Sequence, residues 1–213
     1  MRQLIVTSRE EKRLTLAGTK GVPRAVREQQ IIDVATAEFA ERGYANASLV
    51  DIAATAGISK PLIYTYFGSR DGLHAACVQR AGEQLVEAVT AAQQVQGAHL
   101  RALATLTAIV EALDGGTEKW RVLYDFTPPK PSAAHDRTRH YQQALNALGS
   151  QGVAEVLSVR AGPMSSETHS LLLACWFSVV SAVIDWWTEH HDVTAAEVTR
   201  HCRQLVEAIQ HPR

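Results

Sequence analysis

Between Asn46 and Arg70 the chain carries two short apolar-striped runs, the first closed by Gly57 and the second by Gly68. Punctuation this close suits two brief helices joined by a tight turn. Ser48 is placed to cap the free N–H groups of the first helix, and Asp51, three residues on, favours the positive helix end. Leu49, Ile52, Ala53 and Ala56 then fall at i, i+3, i+4 and i+7, one stripe that must pack on something. Gly57 ends that helix, because a left-handed residue there is cheap only for glycine. Ser59 is predicted to cap the second helix, with Pro61 in its first turn, where a missing N–H does no harm. Ile63 and Phe67 point inward, whereas Lys60, Pro61, Tyr64 and Thr65 share another face, flanked by Leu62 and Tyr66. At about 1.5 Å per residue the stretch from Lys60 to Phe67 is only ~12 Å long, a length suited to the major groove of DNA. The pattern is that of a helix-turn-helix, and it points to DNA binding.

The packing partner for both helices lies just upstream. Ile31, Ala35 and Phe39 recur at i, i+4 and i+8, with Ile32 beside them, and Gly43 is expected to stop this helix. Three helices thereby share one small core. Phe39-Ala40-Glu41-Arg42-Gly43-Tyr44, then Ser48 to Gly57, then Ile58-Ser59-Lys60-Pro61-Leu62-Ile63-Tyr64-Thr65-Tyr66-Phe67 and Gly68-Ser69-Arg70-Asp71-Gly72-Leu73 resemble the TetR family of bacterial transcriptional regulators. The remainder resembles that family only in length, helical pattern and order.

The resemblance implies a DNA-contact set of Ser48, Ser59, Lys60, Pro61, Leu62, Tyr64, Thr65, Tyr66 and Arg70. Lys60, at the start of the second helix, is placed to reach a guanine edge or a phosphate. Pro61 and Leu62 suit a thymine methyl, although Leu62 stands where family members commonly carry a smaller residue and also suits packing. Tyr64 and Tyr66 match positions that meet backbone or bases in the family, while tyrosine elsewhere is commonly half-buried packing. Thr65 sits where the family varies and is expected to tune sequence choice. For Ser48 phosphate contact competes with helix capping, and for Arg70 with a solvated charge.

Charge is distributed in keeping with this reading. The total is only −1, yet residues 1–76 hold ten Lys or Arg against eight Asp or Glu, and the rest hold eleven against fourteen. Arg2, Arg9, Lys12, Arg13, Lys20, Arg24 and Arg27 crowd the first 27 residues, which suits phosphate contact through counterion release or a solvating tail. The longest apolar stretch, Leu171 to Ile184, is fourteen residues and contains Ser178 and Ser181, so no membrane segment or targeting signal is expected. Cys77, Cys175 and Cys202 are odd in number and lack metal-type spacing, which fits a reducing cytoplasm and buried inert thiols.

The expected architecture is all-α, about nine helices: a flexible basic arm over 1–22, a helix-turn-helix head over 23–70, and a helical effector-binding and dimerisation domain over 71–213. Helices are expected over Asp71 to about Gln94, Leu100 to Leu113, Glu118 to Phe126, 133 to 148 with a stop near Gly149, about 165 to 190, and 194 to 210. Ala161-Gly162-Pro163 marks a break, and Thr194 with Glu197 forms a capping box. The helix over 165–190 is apolar on two sides. Leu172, Cys175, Trp176, Val179, Val183 and Trp186 form one stripe, and Leu171, Ala174, Ser178, Ser181, Ala182 and Asp185 a small-residue face. Packing of the last two helices on a second copy would yield a four-helix homodimer interface, as the resemblance also implies, and two heads about 34–36 Å apart read a palindromic operator.

Trp120, Tyr124, Phe126, Trp176, Phe177, Val180 and Trp187, with Trp186 beside them, are candidates for an apolar effector pocket, against the alternative of core or dimer packing. Glu111 and Asp185 suit orientation of a polar ligand or an exposed face. His190, His191 and His201, near Asp192 and Cys202, lack fixed ligand spacing, so no metal is expected. No cofactor is implied, and no nucleophile elbow, phosphate loop or catalytic carboxylate pair marks an enzyme. The resemblance thus implies a sequence-specific regulator, a repressor released from its operator by a small-molecule effector. A DNA-binding or architectural protein without such an effector remains open.

Overall fold

The computed structural model describes residues 21–160 and 165–210. The basic arm expected over 1–22 lies outside these apart from Gly21 and Val22, as does the Ala161-Gly162-Pro163 break. Among the described residues there are nine helices and no strand. They are α1 (Arg24–Asn46), α2 (Leu49–Thr55), α3 (Lys60–Phe67), α4 (Arg70–Ala92), α5 (Ala98–Ala112), α6 (Glu118–Leu123), α7 (Ala133–Arg160), α8 (Ser166–Glu189) and α9 (Ala195–Gln210).

The head is built as its apolar spacing requires. Ile31, Ile32, Ala35 and Phe39 of α1 meet Leu49, Ile52 and Ala53 of α2 and Ile63 of α3 in one buried cluster. Ser48 caps α2, its Oγ accepting from the Asp51 N–H at 3.2 Å. Gly57 makes the turn at φ 65°, a conformation that costs a side-chain-bearing residue about a kcal/mol or more. The joint between α3 and α4 is equally tight. A Cβ at Gly72 would collide with the Phe67 carbonyl oxygen, so only glycine lets α4 start this close behind α3. α4 then leaves the head and packs on α1, α5, α6 and α7, while α1 also lies against α6.

Two expectations about the second domain are corrected. The helix predicted to stop near Gly149 continues to Arg160. Gly149 serves closeness instead of termination: a Cβ there would lie 3.3 Å from Leu173 Cδ1 and 3.5 Å from Phe177 Cε2, so its absence lets α8 approach α7. Beside it Ser150 Oγ and His169 Nε2 are 2.7 Å apart, tying the same two helices. In α8 the most buried residues are Val180, Ile184 and Trp187, on a line that also carries half-buried Leu173 and Phe177. The two apolar stripes read from the sequence fall mostly elsewhere, and Leu171, Ala174, Cys175, Ser178, Val179, Ala182 and Trp186 are exposed. By length and composition α8 is apolar enough to cross a membrane, which is weak evidence for a span. The capping box of α9 forms as expected, with Thr194 Oγ1 donating to Glu197 Oε2 at 2.8 Å and the Glu197 N–H donating to Thr194 Oγ1 at 3.3 Å.

Candidate nucleic-acid interface

α3 divides its residues cleanly between core and solvent. Ile63 is fully buried, and Ser59, Lys60, Pro61, Tyr64 and Thr65 are exposed, with Tyr64 44% accessible. Leu62 and Tyr66 are half-buried at the edges of that face. Thr65 Oγ1 donates to the Pro61 carbonyl at 3.1 Å, and its other contacts are left to solvent. Tyr66 carries the Arg24 guanidinium 5.2 Å from its ring centroid, which brings a cation from the start of α1 to the flank of α3. The sequence marked Arg24 only as one charge of a basic tail. Nothing in its spacing announces a partner forty-two residues away.

Ser59 and Ser48 part company. Ser59 has the extended backbone of an N-cap but its side chain caps nothing, contrary to the sequence expectation. Pro61 removes one amide from the first turn of α3, so fewer donors are left there to claim the hydroxyl. Ser48, by contrast, holds its helix through Oγ, and its own N–H donates to Glu38 Oε1 at 2.8 Å. Glu38 also pairs with Arg42 at 3.2 Å, fastening α2 to α1.

Arg70 is neither a solvated charge nor free to reach outward with its whole guanidinium. Its Nη1 donates to the carbonyls of Tyr44 and Ala45 at 3.2 and 2.9 Å, and its Nη2 to Ala47 at 2.7 Å. These are the carbonyls left over where α1 ends, and a cation is favoured there. On the other side of the same segment the Tyr44 N–H donates to Asp125 Oδ2 at 2.9 Å, and the Tyr44 hydroxyl donates to Asp71 Oδ1 at 3.2 Å. Asp71 Oδ2 accepts from the Ala133 N–H at 2.8 Å. The end of α1 is therefore gripped by α4 and by the loop between α6 and α7. His74 sits beneath, fully buried, with its ring centroid 4.8 Å from Phe39 and 5.3 Å from Tyr44, both edge-on. Burial pushes its pKa down to about 4, against the opposing pull of Asp125 and Asp71, so the imidazole is neutral at pH 7.

The aromatic residues named as a candidate effector pocket do not form one group. Trp120 is buried and its ring centroid lies 4.3 Å from that of Tyr124, which lies 6.4 Å from Phe177. The Tyr124 hydroxyl is buried without a hydrogen-bond partner, and burial raises its pKa. Val180 is core and Trp176 half-buried against it. Phe126 is 75% exposed and lines no pocket with them, because it follows the end of α6 in the loop toward Pro128. Trp187 belongs to a different place. Its indole N–H donates to the Val193 carbonyl at 2.8 Å, and its ring borders an open cleft of about 770 Å³ with Ala37, Glu41, Glu118 and Arg121. Trp186 is exposed and stacks on His190 at 4.2 Å. Among the described residues no three His, Cys, Asp or Glu side chains gather as a metal site. Burial pushes the Cys77 thiol up to about 12, which makes it unreactive.

Residues 31–77, which hold most of this head, match the family model of bacterial regulatory proteins of the tetR family. The chain carries a TetR-type head over these residues and is similar in fold to TetR-like regulators. It is 31% identical over 120 residues to the HTH-type transcriptional activator FasR of Mycolicibacterium smegmatis, a match covering 55% of each protein, so it spans about half the length of that relative. A TetR-like transcriptional regulator from Rhodococcus sp. RHA1 has a similar structure, with TM-score 0.66 and 27% identity over 90% of this chain and all of that one. Bacillus subtilis FadR, solved in complex with stearoyl-CoA, shares the fold at TM-score 0.64, with 15% identity over 84% of this chain and 96% of its own.

Proposed function

We propose that this chain is a homodimeric transcriptional regulator of the TetR family that binds a palindromic operator through α3 and changes its operator affinity when a small apolar molecule binds. The observation that carries the reading is the split face of α3, with Ile63 buried and Lys60, Pro61, Tyr64 and Thr65 in solvent. Apolar α8 leaves Leu171 64% and Val179 50% exposed in a single chain, and Leu205 of α9, which lines a groove with Val179, is 57% exposed. Such a surface is removed from water when a second copy packs on it. Trp120, Tyr124 and Phe177 form an apolar ring cluster with one unpartnered hydroxyl, side chains of the kind that compose a small-molecule site. Repression is the direction the family resemblance implies, whereas FasR is named an activator. A reporter with the operator placed over or upstream of the promoter decides between them.

The test is selection of bound duplexes from a random pool by the full chain, followed by titration of the selected site. Lys60→Ala should weaken that site by about 1–3 kcal/mol while leaving random DNA little changed, if Lys60 reads a base. Equal losses on both would make it a phosphate contact, and absence of any enriched sequence would overturn the operator reading. Small molecules, acyl-CoA esters such as stearoyl-CoA first, are then screened for a change in affinity. A molecule that binds the protein yet leaves operator affinity unaltered refutes the effector mechanism.

A further inference from the structure

We infer that Asp125 is a positioning residue of the DNA-binding head, and that it joins the Trp120, Tyr124 and Phe177 cluster to the segment from which α2 departs. The inference rests on the operator-binding reading. Asp125 directly follows Tyr124, so the residue whose ring packs between Trp120 and Phe177 is covalently next to the residue whose carboxylate holds the head. Both oxygens of that carboxylate are engaged. Oδ2 takes the Tyr44 N–H at 2.9 Å, while Oδ1 takes the Thr127 N–H at 2.8 Å and the Thr127 hydroxyl at 2.6 Å. Thr127 in turn lies against Gly43, which bends α1 at φ 73° and ψ 164°, outside the helical range. The loop after α6 thus grips the one non-helical joint in α1.

The recognition unit begins directly beyond this joint. The Ala47 N–H donates back to the Gly43 carbonyl at 3.1 Å, and Ser48, next in the chain, caps α2. Arg70 fixes the carbonyls of this segment from α4, so its pose is set by two clamps on two different helical elements. The α4 clamp is built into the head. The Asp125 clamp is the one that also ends in the aromatic cluster, and a change in the Tyr124 ring position moves the carboxylate by way of a single peptide unit. Charge-assisted hydrogen bonds of this kind are strong enough to hold one pose and, when lost, to release it. Asp125 therefore carries the state of the cluster to Tyr44 and from there to α2.

The probe is operator DNA selected by the wild-type full chain. Asp125→Ala should weaken operator binding by roughly ten-fold, the loss of about one charge-assisted hydrogen bond. Phe177→Ala, which touches the Tyr124 ring but neither Asp125 nor the head, should shift operator affinity at least about three-fold in the wild-type background and leave it unchanged in the Asp125→Ala background. Hydrogen exchange at the Tyr44 amide should quicken in Phe177→Ala as well as in Asp125→Ala. Should Asp125→Ala fail to fold, Asp125→Asn, which takes the charge from the acceptor of the Tyr44 N–H while keeping its size, provides the second background for the same cycle. Equal Phe177→Ala shifts in both backgrounds, no shift in either, or unaltered Tyr44 exchange would overturn the role of Asp125. Failure to select any operator would instead strike the operator reading itself.

Discussion

In the head, Ile31, Phe39, Ile52 and Ile63 are sealed from solvent by helices of the same chain, whereas in α8 Leu171, Val179 and Trp186 stand exposed although, among the described residues, that helix is the one long and apolar enough to span a bilayer. The head is a finished core made from a short run of the chain. The α8 and α9 pair leaves apolar side chains open to solvent in the single chain, the surface proposed above to take a second copy. The difference shows why an apolar stripe read from sequence does not say what it packs on: the same periodicity is sealed by neighbouring helices in the head and left open to solvent in α8. Phe39→Ala should accordingly cost about 3–5 kcal/mol in urea unfolding followed by circular dichroism, because it empties the middle of the head. Val179→Ala should change single-chain stability by less than about 0.5 kcal/mol while raising the dissociation constant of the assembly measured by sedimentation. A Val179→Ala chain that assembles as tightly as wild type would remove the contrast.

The next largest effect concerns the buried joint between head and body. His74 is neutral when folded, with its pKa lowered to about 4, while an unfolded histidine takes a proton near pH 6.5. Its contribution is fully present above pH 6.5 and lost as the pH falls through 4, because the unfolded chain binds the extra proton in that window. The loss amounts to roughly 3 kcal/mol at most. Thermal melts should therefore show stability dropping between pH 6.5 and 4, and His74→Leu should flatten that slope. A slope as steep in His74→Leu as in wild type would place the titrating group elsewhere.

Most of the head is legible in the sequence because its causes are local. Caps, apolar spacing and Gly57 act within a few residues, so Ile31, Phe39, Ile52 and Ile63 could be named as core and Lys60, Pro61, Tyr64 and Thr65 as the outward face. The body is less legible because its causes are tertiary. Gly149 reads as a stop until Leu173 and Phe177 are seen against it, and Phe126 reads as a pocket wall until it is found in solvent. Asp125 meets Tyr44 across 81 residues, and Arg70 closes on carbonyls 23 to 26 residues back. No periodicity encodes such pairings. Glu38 is the intermediate case: its spacing to Arg42 is a readable i,i+4 pair, but its acceptance of the Ser48 N–H is not.

The smallest predicted effect separates two serines that sequence treats alike. Ser48 Oγ accepts a backbone N–H of α2, so Ser48→Ala should lower stability by about 1 kcal/mol. Ser59 precedes α3 in the same way but its hydroxyl caps nothing, and Ser59→Ala should stay within about 0.5 kcal/mol of wild type. The two variants are expected to reverse their order on operator DNA, where the free Ser59 hydroxyl at the exposed end of α3 is the one available to a phosphate oxygen. If Ser59→Ala destabilises the fold as much as Ser48→Ala, its hydroxyl is a cap after all, and the exposed face of α3 begins at Lys60.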